Sequence, residues 1–189
     1  ERRIIATFDS PAQDVVAPLE IDRGPGSLAE PVFDVVVDAE VQRSDVEVLW
    51  RLQGAPLLSL ADARSSFVGS LAMSMLDDRL FERVQSTETV LQSGSARVSS
   101  FVPTVNLVTL GGLADSADID MALAELLSEF EQARQHGFTQ DEFDRAVESF
   151  RAGIEQSFAV SDTRQDVDFA ADLVSYALGR FVPTAAADQ

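Results

Sequence analysis

The sequence contains no cysteine and no lysine, and it has one histidine, one tryptophan and one tyrosine. Without cysteine the chain cannot form a disulfide, a thiolate metal site or a cysteine nucleophile. It also lacks any apolar run approaching the roughly 20 residues that a membrane-spanning helix needs. These absences exclude several kinds of site, and they leave the redox compartment and the localisation open.

The chain is strongly acidic, with a net charge of −18 on 189 residues. Nucleic-acid phosphates require a basic footprint that such a domain does not offer, and anionic lipid surfaces repel it. We therefore expect no nucleic-acid partner and no membrane partner. All 14 basic residues are Arg, which we attribute to a genomic bias toward GC-rich codons rather than to function.

The length predicts a single domain with short flanking segments. Residues 1–30 hold several prolines and glycines among scattered acids, which indicates an extended interdomain linker. The domain itself is predicted at 31–182, followed by a tail at 183–189. The first residue is Glu1 rather than Met, as a processed or excised piece would have.

The clearest pattern lies in residues 119–158. Apolar residues recur every three or four positions at Ile119, Ala122, Leu126, Phe130 and Ala133. This spacing predicts an amphipathic helix, and Gly137 supplies the left-handed residue that ends it. Thr139 and Glu142 predict a capping box at the start of the next helix, where Phe138 is expected to pack on Phe143.

Strands and helices are predicted along the rest of the chain. The predicted strands are 32–41, 46–54, 95–103 and 104–114, and the predicted helices besides those above are 59–85 and 165–178. Trp50 is expected to face the core, and Gly69 to mark close packing of its helix against a neighbour. Asp77 and Asp78 precede Arg79 and Arg83 near the end of the helix over 59–85, so acid-to-base pairs can form there at helical spacing. The order of these elements, with strands first, then a crossover helix, strands again and finally helices, predicts an α+β fold. In this fold the helices pack on one face of a sheet.

Two motifs carry a resemblance to a known family. The order A-L-x-x-L-L-x-E-x-x-x-A-R-x-x-G-F-T-x-x-E-F-x-x-A, from Ala122 to Ala146, resembles the signature of the pitrilysin/insulinase family of zinc metallopeptidases. The run MLDDRLFERV, from Met75 to Val84, is similar to the end of the first long helix in the non-catalytic repeat domain of that family. The similarity covers roughly Pro31 to Arg180. It implies a two-layer α+β sandwich of the type found in pitrilysin and the mitochondrial processing peptidase, with a mostly antiparallel sheet.

The resemblance also implies where zinc is bound. The family's zinc site needs the order H-x-x-E-H on one helix, whereas this chain has only His136, which we interpret as a residue favoured at a helix C-terminus. Zinc, its water and the Glu base are therefore expected in a preceding domain of the parent protein. The family's Arg and Tyr, seven residues apart in a later repeat, align with Gln85 and Gln92. Both are replaced, which fits a non-catalytic domain.

Other candidate sites are better explained by structure. Asp115, Asp118 and Asp120 lack the calcium-loop pattern and are interpreted as acids at a helix N-terminus. The same holds for Asp162, Asp166 and Asp168. Gly111 and Gly112 are predicted to form a turn, because no phosphate-loop spacing surrounds them. No G-x-S-x-G elbow supports a serine hydrolase. We therefore assign no catalytic, metal-binding or substrate-binding residue.

The resulting hypothesis is a non-catalytic domain of a bacterial zinc endopeptidase. It would form part of the wall of the chamber that encloses peptides and would support the catalytic domain. Its partners would be other domains of the same polypeptide and the peptide substrate of the parent protein. One alternative is a domain of a catalytically inactive homologue that serves as a scaffold subunit, and another is an unrelated α+β interaction module.

Overall fold

The structure is a computed structural model that describes residues 30–38, 40, 43–54, 59–102, 104–159, 170–171 and 173–174. In chain order its elements are β1 (Ser44–Gln53), α1 (Leu60–Val84), β2 (Ser93–Val102), β3 (Val105–Ala114), a 3₁₀ turn (Ser116–Asp118), α2 (Ile119–His136) and α3 (Gln140–Ala159). None of the helices in these ranges is long and apolar enough to cross a membrane. In the described residues, the structure confirms the predicted strands at 46–54, 95–103 and 104–114 and the predicted helices at 59–85 and 119–158.

The described strands form one antiparallel sheet in the order β1-β3-β2. Val48 of β1 lies opposite Leu110 of β3, which lies opposite Ala96 of β2. Because side chains alternate along a strand, Trp50 lies on the same face as Val48. Its ring stacks on that of Phe130 in α2, with the centroids 4.7 Å apart. Trp50 therefore faces the core, as predicted.

The core lies between this face of the sheet and helices α1 and α2. Its largest fully buried side chains are Leu76 and Leu80 from α1, Leu110 from β3 and Leu126 from α2. Burying one such side chain stabilises the fold by roughly 1.5–3 kcal/mol, so these residues together hold the two layers. The predicted α+β architecture is confirmed.

Gly111 and Gly112 lie inside β3, so the predicted turn was wrong. A Cβ on Gly112 would lie 2.9 Å from Cδ2 of Leu91 and 3.2 Å from Cδ1 of Leu126. The missing side chain thus lets α2 approach the middle of the sheet closely. Glycine in a strand interior commonly marks such an approach, and a tertiary contact of this kind leaves no local signal in the sequence.

The strand predicted at 32–41 was also wrong, because residues 31–38 have no regular secondary structure. Their large apolar side chains are 76–88% exposed. β propensity reflects packing on a half-buried pleated surface, and this segment has no such packing in the described residues. The close packing expected at Gly69 is absent as well, since no described atom lies within 4 Å of a Cβ built there.

The helix predicted at 165–178 falls mostly outside the described residues. Within it, residues 170–171 and 173–174 are helical. The start of α1 follows the prediction, since Oγ of Ser59 accepts a hydrogen bond of 3.2 Å from the backbone N–H of Asp62.

Candidate functional site

A polar cluster joins α1 to the junction between α2 and α3. Nη2 of Arg79 donates to Oε2 of Glu142 at 2.9 Å and to the carbonyl oxygen of Gly137 at 2.9 Å. Nε of Arg79 donates to the other carboxylate oxygen of Glu142, which makes the pair bidentate. The two side chains are 16% and 13% exposed. A largely buried, bidentate pair of this kind fixes geometry as well as adding energy.

The same carboxylate forms the start of α3. The backbone N–H of Thr139 donates to Oε2 of Glu142 at 2.6 Å, and the N–H of Glu142 donates to Oγ1 of Thr139 at 3.3 Å. The predicted capping box is confirmed. Gly137 ends α2 with a φ of 71°, a conformation that favours glycine. The predicted contact between Phe138 and Phe143 stays a prediction.

Phe138 contacts Arg79 at this junction. The guanidinium carbon of Arg79 lies 4.7 Å from the centroid of the Phe138 ring. A cation above an aromatic face is attracted by the negative charge of the ring. Arg79 is therefore held by a carboxylate, a carbonyl and an aromatic ring at once.

The contacts of Arg79 and Glu142 shift the pKa values of both side chains. Hydrogen bonds from Arg79, joined by those from Thr139, outweigh burial and lower the pKa of Glu142 from 4.5 to about 2. The reciprocal hydrogen bond raises the pKa of Arg79. Both groups stay charged at neutral pH, so Glu142 is not poised to accept or donate a proton in a reaction.

A second ion pair joins α1 to α2. Nε of Arg83 lies 3.3 Å from Oε2 of Glu125, which also accepts a hydrogen bond from Oγ1 of Thr89. The backbone N–H of Val90 donates to Oε1 of Glu125 at 3.3 Å. Burial raises the pKa of Glu125, but these hydrogen bonds together exceed that effect and lower it. Glu125 thus ties α2 to α1 and to the segment that enters β2.

The ion pairs that helical spacing allows within α1 do not form among the described residues. Arg79 and Arg83 bind carboxylates of other helices. Oδ1 of Asp77 accepts a hydrogen bond of 2.8 Å from the N–H of Ala96 and so joins α1 to β2. Burial, and then the neighbouring charge of Asp77, raise the pKa of Asp78. Asp77 thus holds α1 to the sheet instead of pairing along its own helix.

The sequence candidates lie apart from one another in the structure. His136 is the last residue of α2 and is exposed. Gln85 is the C-cap residue that follows α1, and Nε2 of Gln92 donates to Oδ1 of Asp115 at 2.9 Å. Asp118 and Asp120 lie at the start of α2, whereas Asp162, Asp166 and Asp168 lie outside the described residues. Among the described candidates, Gln92 and Asp115 share the one side-chain hydrogen bond.

The described residues do not fit a zinc ion. No group of three or more His, Cys, Asp or Glu side chains in them could hold a metal. The polar cluster itself consists of charges that already neutralise each other, because each carboxylate has its own guanidinium. This arrangement positions helices and provides neither a nucleophile with a base nor an electrophile.

Comparison with known families agrees with this geometry. Residues 6–150 match the model of the peptidase M16 inactive domain. The chain belongs to this family. The M16 motifs at 75–84 and 122–146 are thus part of a longer match, and the resemblance to pitrilysin/insulinase peptidases is confirmed. Peptidases of the M16 family depend on zinc, while this M16 domain has no metal-binding group among its described residues.

Solved structures of larger proteins share the fold of this M16 domain. The periplasmic protease PqqL from Escherichia coli aligns with a TM-score of 0.68 and 20% identity over 76% of this chain and 16% of its own. The first half of PqqL aligns with a TM-score of 0.66 and 20% identity over 74% of this chain and 30% of its own. A predicted insulinase family protease from Yersinia pestis aligns with a TM-score of 0.57 and 15% identity, over 72% of this chain and 29% of its own. No curated protein sequence matches this chain.

The M16 domain thus spans a small part of the proteins that share its fold. The residues that sequence reasoning missed are the partners of the ion pairs, above all Arg79 with Glu142. Sixty-three positions separate these two residues. A local motif cannot contain such a pair, so no single turn of the chain indicates it.

Proposed function

We propose that the chain is a non-catalytic domain of a bacterial zinc endopeptidase. In this role it forms part of the wall of a chamber that encloses peptides, and it supports the catalytic domain of the same polypeptide. The observation that carries the proposal is the match of residues 6–150 to the peptidase M16 inactive domain. We place the domain at 31–182, after a linker at 1–30 and before a tail at 183–189.

The cluster of Arg79, Glu142, Arg83 and Glu125 supports a mechanical role. It fixes α1, α2 and α3 to one another through charged, mostly buried contacts. A wall must hold its shape while peptide enters and leaves, and bidentate ion pairs between helices resist relative movement of those helices. Zinc and the residues that activate its water lie in the preceding domain under this proposal.

The catalytic part of the proposal is tested on the full polypeptide purified from its source. It is expected to contain about one zinc per chain and to cleave an unstructured peptide in a reaction that a zinc chelator abolishes. His136→Ala is expected to leave both the zinc content and the cleavage rate unchanged. Loss of cleavage with zinc retained in His136→Ala would show that this domain takes part in catalysis. A zinc-free polypeptide of full length would instead favour the scaffold role.

The wall is tested with a peptide that carries a photoreactive side chain. This peptide is bound to the metal-depleted polypeptide, irradiated, and its attachment points are mapped by mass spectrometry. A domain that lines the chamber is expected to take a substantial share of the label. Label confined to other domains would contradict the proposal that this domain lines the chamber. Support of the catalytic domain would then be its only remaining role.

A further inference from the structure

The two outer strands of the described sheet differ at their edges. At β2, the backbone N–H of Ala96 donates to Oδ1 of Asp77 at 2.8 Å, and the register with β3 shifts between Ser100 and Val102. An occupied backbone group and an irregular register both hinder the addition of another strand. β1 pairs with β3 without a shift over all ten of its residues. The edge of β1 is therefore the more open end of the sheet.

Alternate residues of β1 direct their backbone groups away from the sheet. The N–H of Gly54, which continues the register of β1, donates to the carbonyl oxygen of Thr104 at 2.9 Å. Because bonding to one neighbour alternates along an antiparallel strand, the even-numbered residues of β1 face β3. The residues that face outward are Asp45, Glu47, Leu49, Arg51 and Gln53. No strand in the described residues pairs with this edge.

The side chains of these outward-facing residues carry opposite charges on the two sides of an apolar residue. They lie on the face of the sheet opposite Trp50 and are exposed. Leu49, at the centre, is 51% exposed. Glu47 precedes it and Arg51 follows it. Oε1 of Glu47 lies 3.4 Å from Nη2 of Arg97 in β2, but both side chains are largely solvated, and pairs of this kind contribute little.

This order of charges is self-complementary about Leu49. When two copies of β1 pair antiparallel around a two-fold axis at Leu49, residues equally far before and after it face each other. Leu49 then faces Leu49 of the second copy, Glu47 faces Arg51, and Asp45 faces Gln53. Opposite charges and apolar pairs at facing positions stabilise antiparallel strands, whereas like charges destabilise them. An axis at either neighbouring residue would place Leu49 against a charged side chain.

An apolar flank of α2 lies above the same edge. Glu125 of α2 faces α1 through its ion pair. Successive helix residues are rotated by about 100°, so Leu127 points to the side of α2 away from α1. Phe130 lies on that side as well, and its ring stacks on Trp50 of β1. Leu127 is 38% exposed, so this flank offers apolar surface beside the open edge.

We infer that the edge of β1 binds a second copy of this chain, with Leu49 at the two-fold axis. Backbone hydrogen bonds then join the two sheets into one, and the facing Glu47 and Arg51 side chains set the register. The helices of both copies lie on one face of the joined sheet, with their Leu127 flanks toward each other. Each copy supplies the same patch, so the contact closes as a dimer.

Disulfide formation in the full polypeptide tests this contact. Leu49→Cys places a thiol at the axis, where facing Cα atoms lie about 5.5 Å apart, within reach of a disulfide. Asp45→Cys is the matched control, because its two copies would lie roughly 27 Å apart in the same register. This chain has no cysteine of its own, so a disulfide between identical positions joins two chains. After mild oxidation, the disulfides are mapped by mass spectrometry of unreduced peptides.

The 49–49 disulfide is expected at a yield at least about tenfold above that of the 45–45 control. Arg51→Glu in the Leu49→Cys background sets Glu47 against another acid and is expected to lower the yield about tenfold. Adding Glu47→Arg to that variant brings opposite charges together again in exchanged order. It is expected to restore the yield of the 49–49 disulfide.

Equal yields from Leu49→Cys and Asp45→Cys would overturn the proposal. So would a 49–49 yield that Arg51→Glu leaves unchanged, because the register would then not depend on the charge pair. If no disulfide forms, maleimide labelling of Leu49→Cys finds the reason. Slow labelling means that a peptide or another segment covers the edge, fast labelling means that nothing does, and either result overturns the proposal. Zinc content and peptide cleavage do not enter this test, so its failure is distinct from failure of the proposed function.

Discussion

Arg79 and Glu142 join the C-terminal part of α1 to the first turn of α3, with Nη2 and Oε2 2.9 Å apart. The carboxylate that accepts these bonds also accepts the backbone N–H of Thr139. A single side chain therefore completes both a local cap and a contact between distant helices. Its loss is expected to act at both levels.

Glu142→Gln is expected to destabilise the fold by about 2 kcal/mol. The amide retains part of the cap but removes the charge that Arg79 faces, and a mostly buried charge without its partner is costly. Urea unfolding at pH 7 measures the change. Glu148→Gln, on an exposed position of the same helix, serves as the control and is expected to lie within about 0.5 kcal/mol of the parent. Equal effects of the two substitutions would contradict a structural role for the pair.

Acid is expected to destabilise the fold through the same residue. The pKa of Glu142 is lowered from 4.5 to about 2 in the fold. Its contribution is therefore complete above the unfolded pKa and is lost as the pH falls from about 5 toward 2, amounting to about 1–2 kcal/mol by pH 3 after solvent screening. Urea unfolding at pH 7, 5, 4 and 3 follows this loss. In Glu142→Gln the pH dependence should be weaker by that amount, and identical profiles would show that other carboxylates dominate.

Gly112→Ala is expected to cost about 1–3 kcal/mol. The new methyl group would lie 2.9 Å from Leu91, 3.1 Å from the carbonyl oxygen of Ser93 and 3.2 Å from Leu126. Crowding of this kind shifts side chains and backbone in a packed core. The neighbouring Gly111→Ala is the control, because its methyl group would meet ordinary contacts of 3.6 Å or more. Thermal unfolding of both variants measures the two losses of stability. A larger loss of stability in Gly111→Ala than in Gly112→Ala would refute the close approach of α2.

Leu80→Ala is expected to cost about 2–5 kcal/mol, because it empties a fully buried position between α1 and the sheet. Phe81→Ala removes a larger side chain that is 63% exposed and is expected to cost less than about 1 kcal/mol. Urea unfolding of the two variants compares burial directly. A similar loss in both would place the core of this domain elsewhere.

The elements that local patterns could predict were found where expected. The cap at Ser59 and the capping box of Thr139 and Glu142 join residues three positions apart, so their signals lie within a single turn of chain. The bond between Arg79 and Glu142 has no local signal, since it exists only once α1 and α3 have packed. Gly112 was misread as part of a turn for the same reason, because the constraint on it comes from Leu126 in another layer.

The segment at 32–38 has a local strand pattern but does not form a strand in the described structure. Its valines are typical of a strand, yet they are exposed and unpaired in the described structure. The candidate site could be predicted only as an absence of catalytic groups, and the family motifs supplied the rest of that interpretation. The contacts that unite the three helices join residues far apart in the chain, so no local pattern contains them.

The basic partners in every described ion pair are guanidinium groups, because all 14 basic residues of the chain are Arg. A lysine begins to lose its charge near pH 10, whereas a guanidinium remains protonated beyond pH 12. The bonds from Arg79 to Glu142, which raise the pKa of Arg79, thus persist throughout the alkaline range in which a lysine would lose its charge. The helical layer of this domain is therefore sensitive to acid and tolerant of base.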